Sequence, residues 1–332
     1  MSRNVILIIL SVIISGLILY FVFREIGTED IWQAFLSFSP WGIFWVLLLT
    51  ILWHLFEILR LKTILKDKGY SLSINQLIAP WLAGFSIVFF MPALVLGDDA
   101  MRAYILKKRF SVSWTKGAVS VFIDEFLDGT IFFLTIILGI VFFILKTLTI
   151  PLELWIIILA LLVPIGAIAF FYFRAFKSQS MLKFIEKPLQ KLIQNETSLK
   201  AVNLEKELFS FFKKDNKNMW KAMILSVAQG IINWLRIWVL LLFLGLPISG
   251  LESLIMISFT NLAHLFPLPG AIGSQEALQV FVFSKLGFAS ESAIAFTFIF
   301  RAFDLLASLI GIIIVFRFGA EQIKKALNPK SH

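Results

Sequence analysis

The residues of this sequence that could do chemistry lie within long apolar stretches. Three groups recur at helical spacing, and they are His54, Glu57 and Arg60; Asp124, Glu125 and Asp128; and Arg301 with Asp304. A charge in such a stretch is costly and usually marks either a polar route or an ion pair. Residues three or four apart share one face of a helix, so Glu57 is expected to pair with Arg60. Structural ion pairs and a polar route therefore both remain open as explanations.

The most specific motif is Pro-Leu-Pro-Gly-Ala-Ile-Gly-Ser-Gln-Glu at residues 267–276. Its prolines, Pro269 among them, should end one half-helix, while Gly270 and Gly273 permit a tight turn. A second half-helix should then begin, and its free N–H groups would favour an anion. Glu276 would serve equally well as an acidic residue that complements the helix dipole.

An earlier segment is the counterpart of this motif. It reads Gly97-Asp98-Asp99-Ala-Met-Arg102 and is followed by a basic cluster, Lys107, Lys108 and Arg109. Such a cluster suits a membrane leaflet that is rich in anionic headgroups. Membrane orientation alone would also explain it.

The sequence lacks the residue sets of common enzymes. His54-x-x-Glu57 resembles half of a metal site, but the other histidines are His264 and His332, and there is no cysteine. Structural and catalytic metal sites need three or four ligands. The sequence also contains no Walker loop for ATP. We therefore predict no catalytic residues, no metal and no cofactor.

The composition indicates an all-α integral membrane protein. Of the 332 residues, 59% are hydrophobic and 15% are charged, whereas soluble domains contain about 25% charged residues. The 36 Phe and 10 Trp residues suit positions that face lipid or the membrane interface. The net charge of +9 is therefore interpreted as a signal of membrane orientation, and nucleic acid is not expected as a partner.

Six stretches are long enough to span a membrane, which takes about 20 apolar residues. They are residues 4–23, 41–65, 117–145, 152–173, 219–244 and 290–316. Two further apolar stretches, 76–96 and 251–266, are interrupted or followed by proline and glycine. Broken backbone inside a membrane occurs only where protein or a watery cavity satisfies it. We therefore predict two re-entrant or broken helices that do not cross.

The distribution of Lys and Arg sets the expected orientation. Most Lys and Arg residues lie in the connecting segments on one side of the membrane. The positive-inside rule identifies that side as cytoplasmic. Both termini are then cytoplasmic in a multi-pass protein of the plasma membrane. The polar block 174–221 is expected to form a cytoplasmic basic insert of two amphipathic helices on the membrane surface.

The spacing of charged residues predicts an internal repeat. Equal spacings occur in each half: 37 residues from Arg60 to Gly97 and from Arg236 to Gly273, and 31 residues from Gly97 to Asp128 and from Gly273 to Asp304. The same alignment matches Glu57 with Asn233 and Glu125 with Arg301. We predict an inverted-topology repeat within one membrane domain, with residues 1–147 (re-entrant 76–96) as the first half and 152–316 (re-entrant 251–286) as the second. Similar helix lengths alone would also produce equal spacings.

With these motifs the chain resembles the lysylphosphatidylglycerol synthase transmembrane-region family, also called flippase-like or UPF0104 proteins. The resemblance rests on the segment that begins at Gly97, on the 267–276 motif and on Asn261. It departs from the family where Pro92-Ala-Leu replaces a frequent Pro-Gly-Gly and where Ala271 replaces a frequent glycine. The resemblance implies a lipid-handling membrane domain, which in the aminoacylated-lipid members flips lysylphosphatidylglycerol made by a separate soluble domain. Because the chain ends at His332, we expect it to lack that domain.

We therefore expect a lipid flippase or transporter for an anionic or aminoacylated phospholipid. Three arginines would meet phosphate, namely Arg60, Arg236 and Arg301. Four acidic residues would meet cationic headgroup parts or protons, namely Glu57, Asp128, Glu276 and Asp304. The full predicted substrate-binding set is Glu57, Arg60, Asp98, Asp99, Arg102, Asp124, Glu125, Asp128, Asn233, Arg236, Asn261, Pro269, Gly270, Gly273, Glu276, Arg301 and Asp304.

Two other functions remain open. One is a lipid-modifying enzyme of the phosphatidylglycerol lysyltransferase type, which would act in lipid metabolism and resistance to cationic antimicrobial peptides. The other is a non-catalytic scaffold for such an enzyme. A second copy of the chain or a separate lipid-modifying enzyme would then be the protein partner.

Overall fold

The computed structural model describes residues 38–92, 97–148, 152–177 and 195–327, together with Trp32, Gln33 and Leu36. Its elements in chain order are α1 Pro40–Asp67, α2 Ile74–Phe90, α3 Gly97–Phe110, α4 Trp114–Thr147, α5 Leu152–Phe176, α6 Asn195–Phe211, α7 Lys217–Phe243, α8 Gly250–His264, a 3₁₀ turn Pro269–Ala271, α9 Ser274–Lys285 and α10 Ser290–Leu327. The described part of the chain contains no strand, as the all-α prediction requires.

Five helices, α1, α4, α5, α7 and α10, are long and apolar enough to cross a membrane. They coincide with five of the six predicted spans. The remaining predicted span, residues 4–23, lies outside the described residues. The structure therefore confirms the apolar helices from α1 onward, while the count of six crossings stays a prediction.

The two interrupted stretches form α2 and α8, and they begin in the same way. Ser73 before α2 and Ser249 before α8 each form a capping box with the residue three positions on, Gln76 and Glu252 respectively. In each box the side chain three positions on accepts from the serine N–H, and Ser249 Oγ also accepts from the Glu252 N–H. The two serines are separated by the same number of residues as Gly97 and Gly273, so the matched spacing extends to the helix caps.

The chain breaks after α8 through backbone in the left-handed region. Gly270 and Gly273 have φ values of 56° and 89°, and Ala271 lies at 51°. Glycine adopts this conformation at no steric cost, whereas a Cβ at Ala271 makes it strained. The predicted tight turn is therefore present, and α9 begins directly after it at Ser274.

Each interrupted helix packs against a long one: α2 lies along α10, and α8 lies along α4, while α1 lies along α7. Glycines allow the close approach in both of the first two pairs. A Cβ added to Gly311 on α10 would overlap the carbonyl oxygen of Leu82, and one added to Gly139 on α4 would overlap Ser258. Helix α8 is buried over most of its length.

The described part of the polar block 174–221 contains α6, which is docked on the body of the protein. Phe211 and Phe212 are fully buried in a cluster with α4 and α5 residues. The ammonium of Lys68 donates to the Glu207 carbonyl oxygen at 2.5 Å and to Ser210 Oγ at 2.9 Å. Burial lowers the pKa of Lys68, and the nearby Asp67 and Glu207 oppose that effect. The first of the two predicted insert helices falls largely outside the described residues, and contact with the membrane surface stays a prediction.

The close approach of α2 and α10 can be tested with Gly311→Ala. We expect the free energy of unfolding to fall by about 1–3 kcal/mol, because an added methyl group forces two packed helices apart. Thermal unfolding of the purified protein in detergent, followed by intrinsic Trp fluorescence, would measure the change. The matched control is Gly166→Ala on α5, where an added Cβ meets nothing within 4 Å. Equal midpoints for the two variants would contradict this account of the packing.

Candidate functional site

A cavity of about 380 Å³ lies inside the bundle, lined by residues of α1, α2, α3, α4, α7, α8 and α10 and of the 3₁₀ turn. Most of the predicted site residues line it: Glu57, Asp98, Arg102, Asp124, Glu125, Asp128, Asn233, Arg236, Asn261, Gly270 and Asp304. Part of this lining is open to the outside of the protein, since the side chains of Asp128 and Glu125 are 33% and 42% exposed. The remaining predicted residues, Arg60, Asp99, Pro269, Gly273, Glu276 and Arg301, are not among those that line the cavity.

Arg60 lies behind the cavity wall and joins three helices. Its Nε donates to Asp124 Oδ1 at 2.7 Å, and its Nη1 donates to Asp128 Oδ1 at 3.1 Å and to Gln229 Oε1 at 2.9 Å. The predicted pair of Glu57 and Arg60 along α1 is therefore replaced by pairs from α1 to α4 and α7. Because its Nε and Nη1 are bound to these side chains, Arg60 positions the cavity wall.

Arg102 fastens the short helix α3 to α4. Its guanidinium donates to Asp124 Oδ2 through Nη2 and to Glu125 Oε1 through Nη1. Its aliphatic part packs on Gly84, where an added Cβ would overlap Arg102 Cδ and Cγ. Asp124, whose side chain is 1% exposed, thus accepts from two arginines at once.

The start of α3 carries an acidic cluster beside this pair. Oxygen atoms of Asp98, Asp99 and Glu125 lie within 4.8 Å of one another, a separation that a cation could bridge. Glu125 is already engaged by Arg102. Burial raises the pKa of Asp99 to about 6, and the neighbouring charge of Asp98 adds to that effect.

Arg236 forms the corresponding pair in the second half. Its Nη2 donates to Asp304 Oδ1 at 2.5 Å, across the same separation of 68 residues that joins Arg60 to Asp128. The guanidinium carbon also lies 4.0 Å from the Phe300 ring centroid. In contrast to Arg60, the Nε and Nη1 atoms of Arg236 have no hydrogen-bond partner in the described part of the protein. Arg236 therefore lines the cavity with donors to spare.

Arg301 and Glu276 close the 267–276 turn outside the cavity. Arg301 Nη1 donates to Glu276 Oε1 at 2.5 Å, and its Nε donates to the Gly270 carbonyl oxygen at 2.8 Å. The other oxygen of Glu276 accepts from the Gly273 N–H at 2.8 Å. Glu276 thus caps its own helix, as the second interpretation of the motif expects, and it occupies the place that an anion would take.

Glu57 accepts from neutral donors, whereas Asp124, Glu125, Asp128 and Asp304 each accept from an arginine. Trp81 Nε1 donates to Oε2 at 3.1 Å, and Gln229 Nε2 donates to Oε1 at 3.2 Å. His54 Nδ1 lies 3.5 Å from Oε2. The rings of His54 and Trp81 are in contact, with centroids 4.3 Å apart, and the Phe85 ring stacks on Trp81.

Sequence reasoning missed Gln229 and Trp81, although both contact predicted site residues. Gln229 connects Arg60 to Glu57 through its two amide atoms. Gln229 could have been identified from the sequence, because an amide in the middle of an apolar span costs free energy unless it is paired. Trp81 gave no such signal among the many aromatic residues that face lipid.

The cavity lining carries an excess of acidic groups. Its carboxylates are Glu57, Asp98, Asp124, Glu125, Asp128 and Asp304, against the guanidinium groups of Arg102 and Arg236, with Arg60 directly behind. A cleft of one charge sign with apolar walls concentrates ions of the opposite sign. The cavity therefore favours cationic groups, and Arg236 offers one place for an anionic group.

Comparison with known proteins agrees with the membrane architecture. The family model described as the lysylphosphatidylglycerol synthase TM region matches residues 8–311. A UPF0104 membrane protein of Methanocaldococcus jannaschii is 25% identical over 322 residues, which cover 94% of this chain and 95% of that protein. No solved structure matches the chain at a significant level.

The central position of Asp124 can be tested with Asp124→Asn. We expect the free energy of unfolding to fall by about 3–5 kcal/mol, because two buried arginines lose the negative charge that they share. Chemical unfolding in detergent would measure it. The matched control is Asp128→Asn, one turn along the same helix, whose side chain is 33% exposed and contacts Arg60 alone among the described arginines. A control variant as unstable as Asp124→Asn would contradict this assignment.

Proposed function

The chain belongs to the lysylphosphatidylglycerol synthase transmembrane-region family, and from that premise we propose that this multi-span membrane protein moves a polar-headed lipid between leaflets. The observation that carries the proposal is the polar cavity of about 380 Å³ within a bundle of apolar helices. Buried charges are expensive in a membrane and are retained where they pair or form a polar route. The lipid headgroup would cross through this cavity while the acyl chains stay in the bilayer.

The lining suits a headgroup that carries a cationic part beside a phosphate. The excess of carboxylates would attract an ammonium group, and the neighbouring faces of Trp53 and Trp81 can add cation–π attraction. The unpartnered donors of Arg236 would meet the phosphate. An aminoacylated phospholipid fits this arrangement, and lysylphosphatidylglycerol is the aminoacylated phospholipid after which the family is named.

An inverted repeat would supply the architecture that such movement needs. Three observations support it: the Arg–Asp pairs at equal separation, the capping boxes at matched positions, and the packing of α2 on α10 and of α8 on α4. If each helix is replaced by its counterpart in the other half, the contact of α2 with α10 becomes the contact of α8 with α4. Transporters of this type place their site where the repeats meet, near the middle of the membrane.

The proposed topology has six crossings, with α2–α3 and α8–α9 as the two re-entrant elements. The basic segments after α1, around α3 and in the 174–221 block support a cytoplasmic location for these ends of the helices. Both termini would then be cytoplasmic, in the plasma membrane.

Isosteric replacement of cavity amides should slow lipid movement. Asn233 and Asn261 both line the cavity, and Asn233 Oδ1 is buried without a hydrogen-bond partner in the described residues. We expect Asn233→Leu and Asn261→Leu each to lower the rate roughly 2- to 10-fold, because each removes a hydrogen bond to the passing headgroup. The measurement is dithionite quenching of NBD-labelled lysylphosphatidylglycerol in proteoliposomes.

The matched control is Asn203→Leu on α6, where the side chain is exposed. A parallel assay follows lysyl transfer to phosphatidylglycerol from an activated lysyl donor. Unchanged movement in both cavity variants would overturn the site. Lipid product formation without lipid movement would favour the enzyme instead.

A further inference from the structure

We propose that Glu57 is a proton-binding residue that exchanges its proton for the cationic part of the headgroup, so that lipid movement is coupled to proton movement in the opposite direction. This inference rests on the proposed lipid transport and adds its energy source. It assigns to Glu57 a role beyond that of a simple binding group.

The hydrogen bonds of Glu57 carry the first part of the argument. Both donors to its carboxyl group, Trp81 and Gln229, are neutral. No lysine or arginine of the described residues lies within ion-pair distance of it, whereas Asp124 and Asp128 each contact Arg60. An ionised carboxylate in an apolar bundle is costly without a cationic partner. The neutral acid is therefore the less costly form of Glu57 when the cavity is empty.

The charges around Glu57 on each neighbouring helix also favour its neutral form. On α4, Asp128 and Asp124 face it with negative charge. On α1 and α3, Arg60 and Arg102 oppose that charge, but their guanidinium groups are bound to those same α4 carboxylates. Helices α2 and α7 contribute the neutral Trp81 and Gln229. The surroundings of Glu57 therefore disfavour another negative charge until a mobile cation arrives.

His54 could accept a hydrogen bond from protonated Glu57. Its Nδ1 lies 3.5 Å from Glu57 Oε2, and neither ring nitrogen has a hydrogen-bond partner in the described residues. His54 also shares an aromatic cluster with Trp81 and Phe85. A small rotation of Glu57 would let its O–H donate to the free ring nitrogen.

The exchange balances charge within the membrane. When an ammonium group enters, the O–H bond of Glu57 breaks, the proton passes to cavity water, and the carboxylate pairs with the ammonium. When the ammonium leaves on the other side, water returns a proton to Glu57. A lysylphosphatidylglycerol headgroup with two ammonium groups and one phosphate carries a net charge of +1, so the release of one proton as it enters leaves the net charge of the cavity unchanged. One proton then moves against each such lipid.

Proton release on binding tests this directly with the unmodified protein. Short-chain lysylphosphatidylglycerol is added to protein in weakly buffered detergent containing a pH-sensitive dye, and calorimetry gives the amount bound. We expect about one proton released per molecule bound. Binding without proton release would overturn the proposal.

A pH gradient tests the coupling in proteoliposomes. For one-to-one exchange, a gradient of one pH unit should concentrate NBD-labelled lysylphosphatidylglycerol about tenfold in the leaflet that faces the acidic compartment. Glu57→Gln should release no proton on binding and should distribute the lipid equally. Glu57→Asp should retain proton release. The exposed Asp215→Asn variant, which removes one carboxylate outside the cavity, should behave as the unmodified protein.

The outcomes separate the two proposals. If the unmodified protein neither binds nor moves the lipid, the proposed function fails. If it moves the lipid but distributes it equally under a pH gradient, proton coupling fails and lipid transport stands. Should Glu57→Gln not fold, the two measurements on the unmodified protein still decide the question.

Discussion

The cost of placing charge inside an apolar helix bundle is the constraint on which this structure depends. A charged residue at the centre of a membrane helix costs at least about 2.5–3.5 kcal/mol, and removal of one partner from a buried pair costs about as much or more. The first half meets this cost at Asp124, which accepts from Arg60 on α1 and from Arg102 on α3. Arg60 extends the same network to α7 through Gln229. One carboxylate and two guanidinium groups thereby fix four helices around the cavity.

The second half solves the same problem with the charges exchanged. In the first half the short helix α3 supplies the arginine, Arg102, and the long helix α4 supplies Glu125. In the second half the short helix α9 supplies Glu276, and the long helix α10 supplies Arg301 at the position that matches Glu125. Under the proposed repeat, an ion pair occurs at the matching place in each half, with the residue types reversed. The first pair borders the cavity and the second closes a turn beside it, so most of the acidic lining comes from the first half.

Much of this arrangement was predictable from residue type and spacing. Long apolar stretches with few charges identify membrane helices, and Pro and Gly identify the breaks, because both signals depend on local chain properties. The spacing matched Arg60 with Arg236 and Asp128 with Asp304, but it did not predict that Arg60 contacts Asp128 or that Arg236 contacts Asp304. The choice of partner was less predictable. Glu57 and Arg60 share a helix face, yet Arg60 bonds to other helices, because helix packing decides which pairs meet and periodicity within one helix does not.

Photo-crosslinking tests most directly whether a headgroup occupies the cavity. The protein would be placed in nanodiscs with a phospholipid that carries a diazirine on its headgroup amine, and mass spectrometry would identify the labelled peptides. The account predicts labels on cavity residues of α7 and α8, near Asn233 and Asn261. A second lipid with the diazirine on its acyl chain should label the outer face of α10 near Ile313, which is 68% exposed. Headgroup labels confined to such lipid-facing positions would contradict the account.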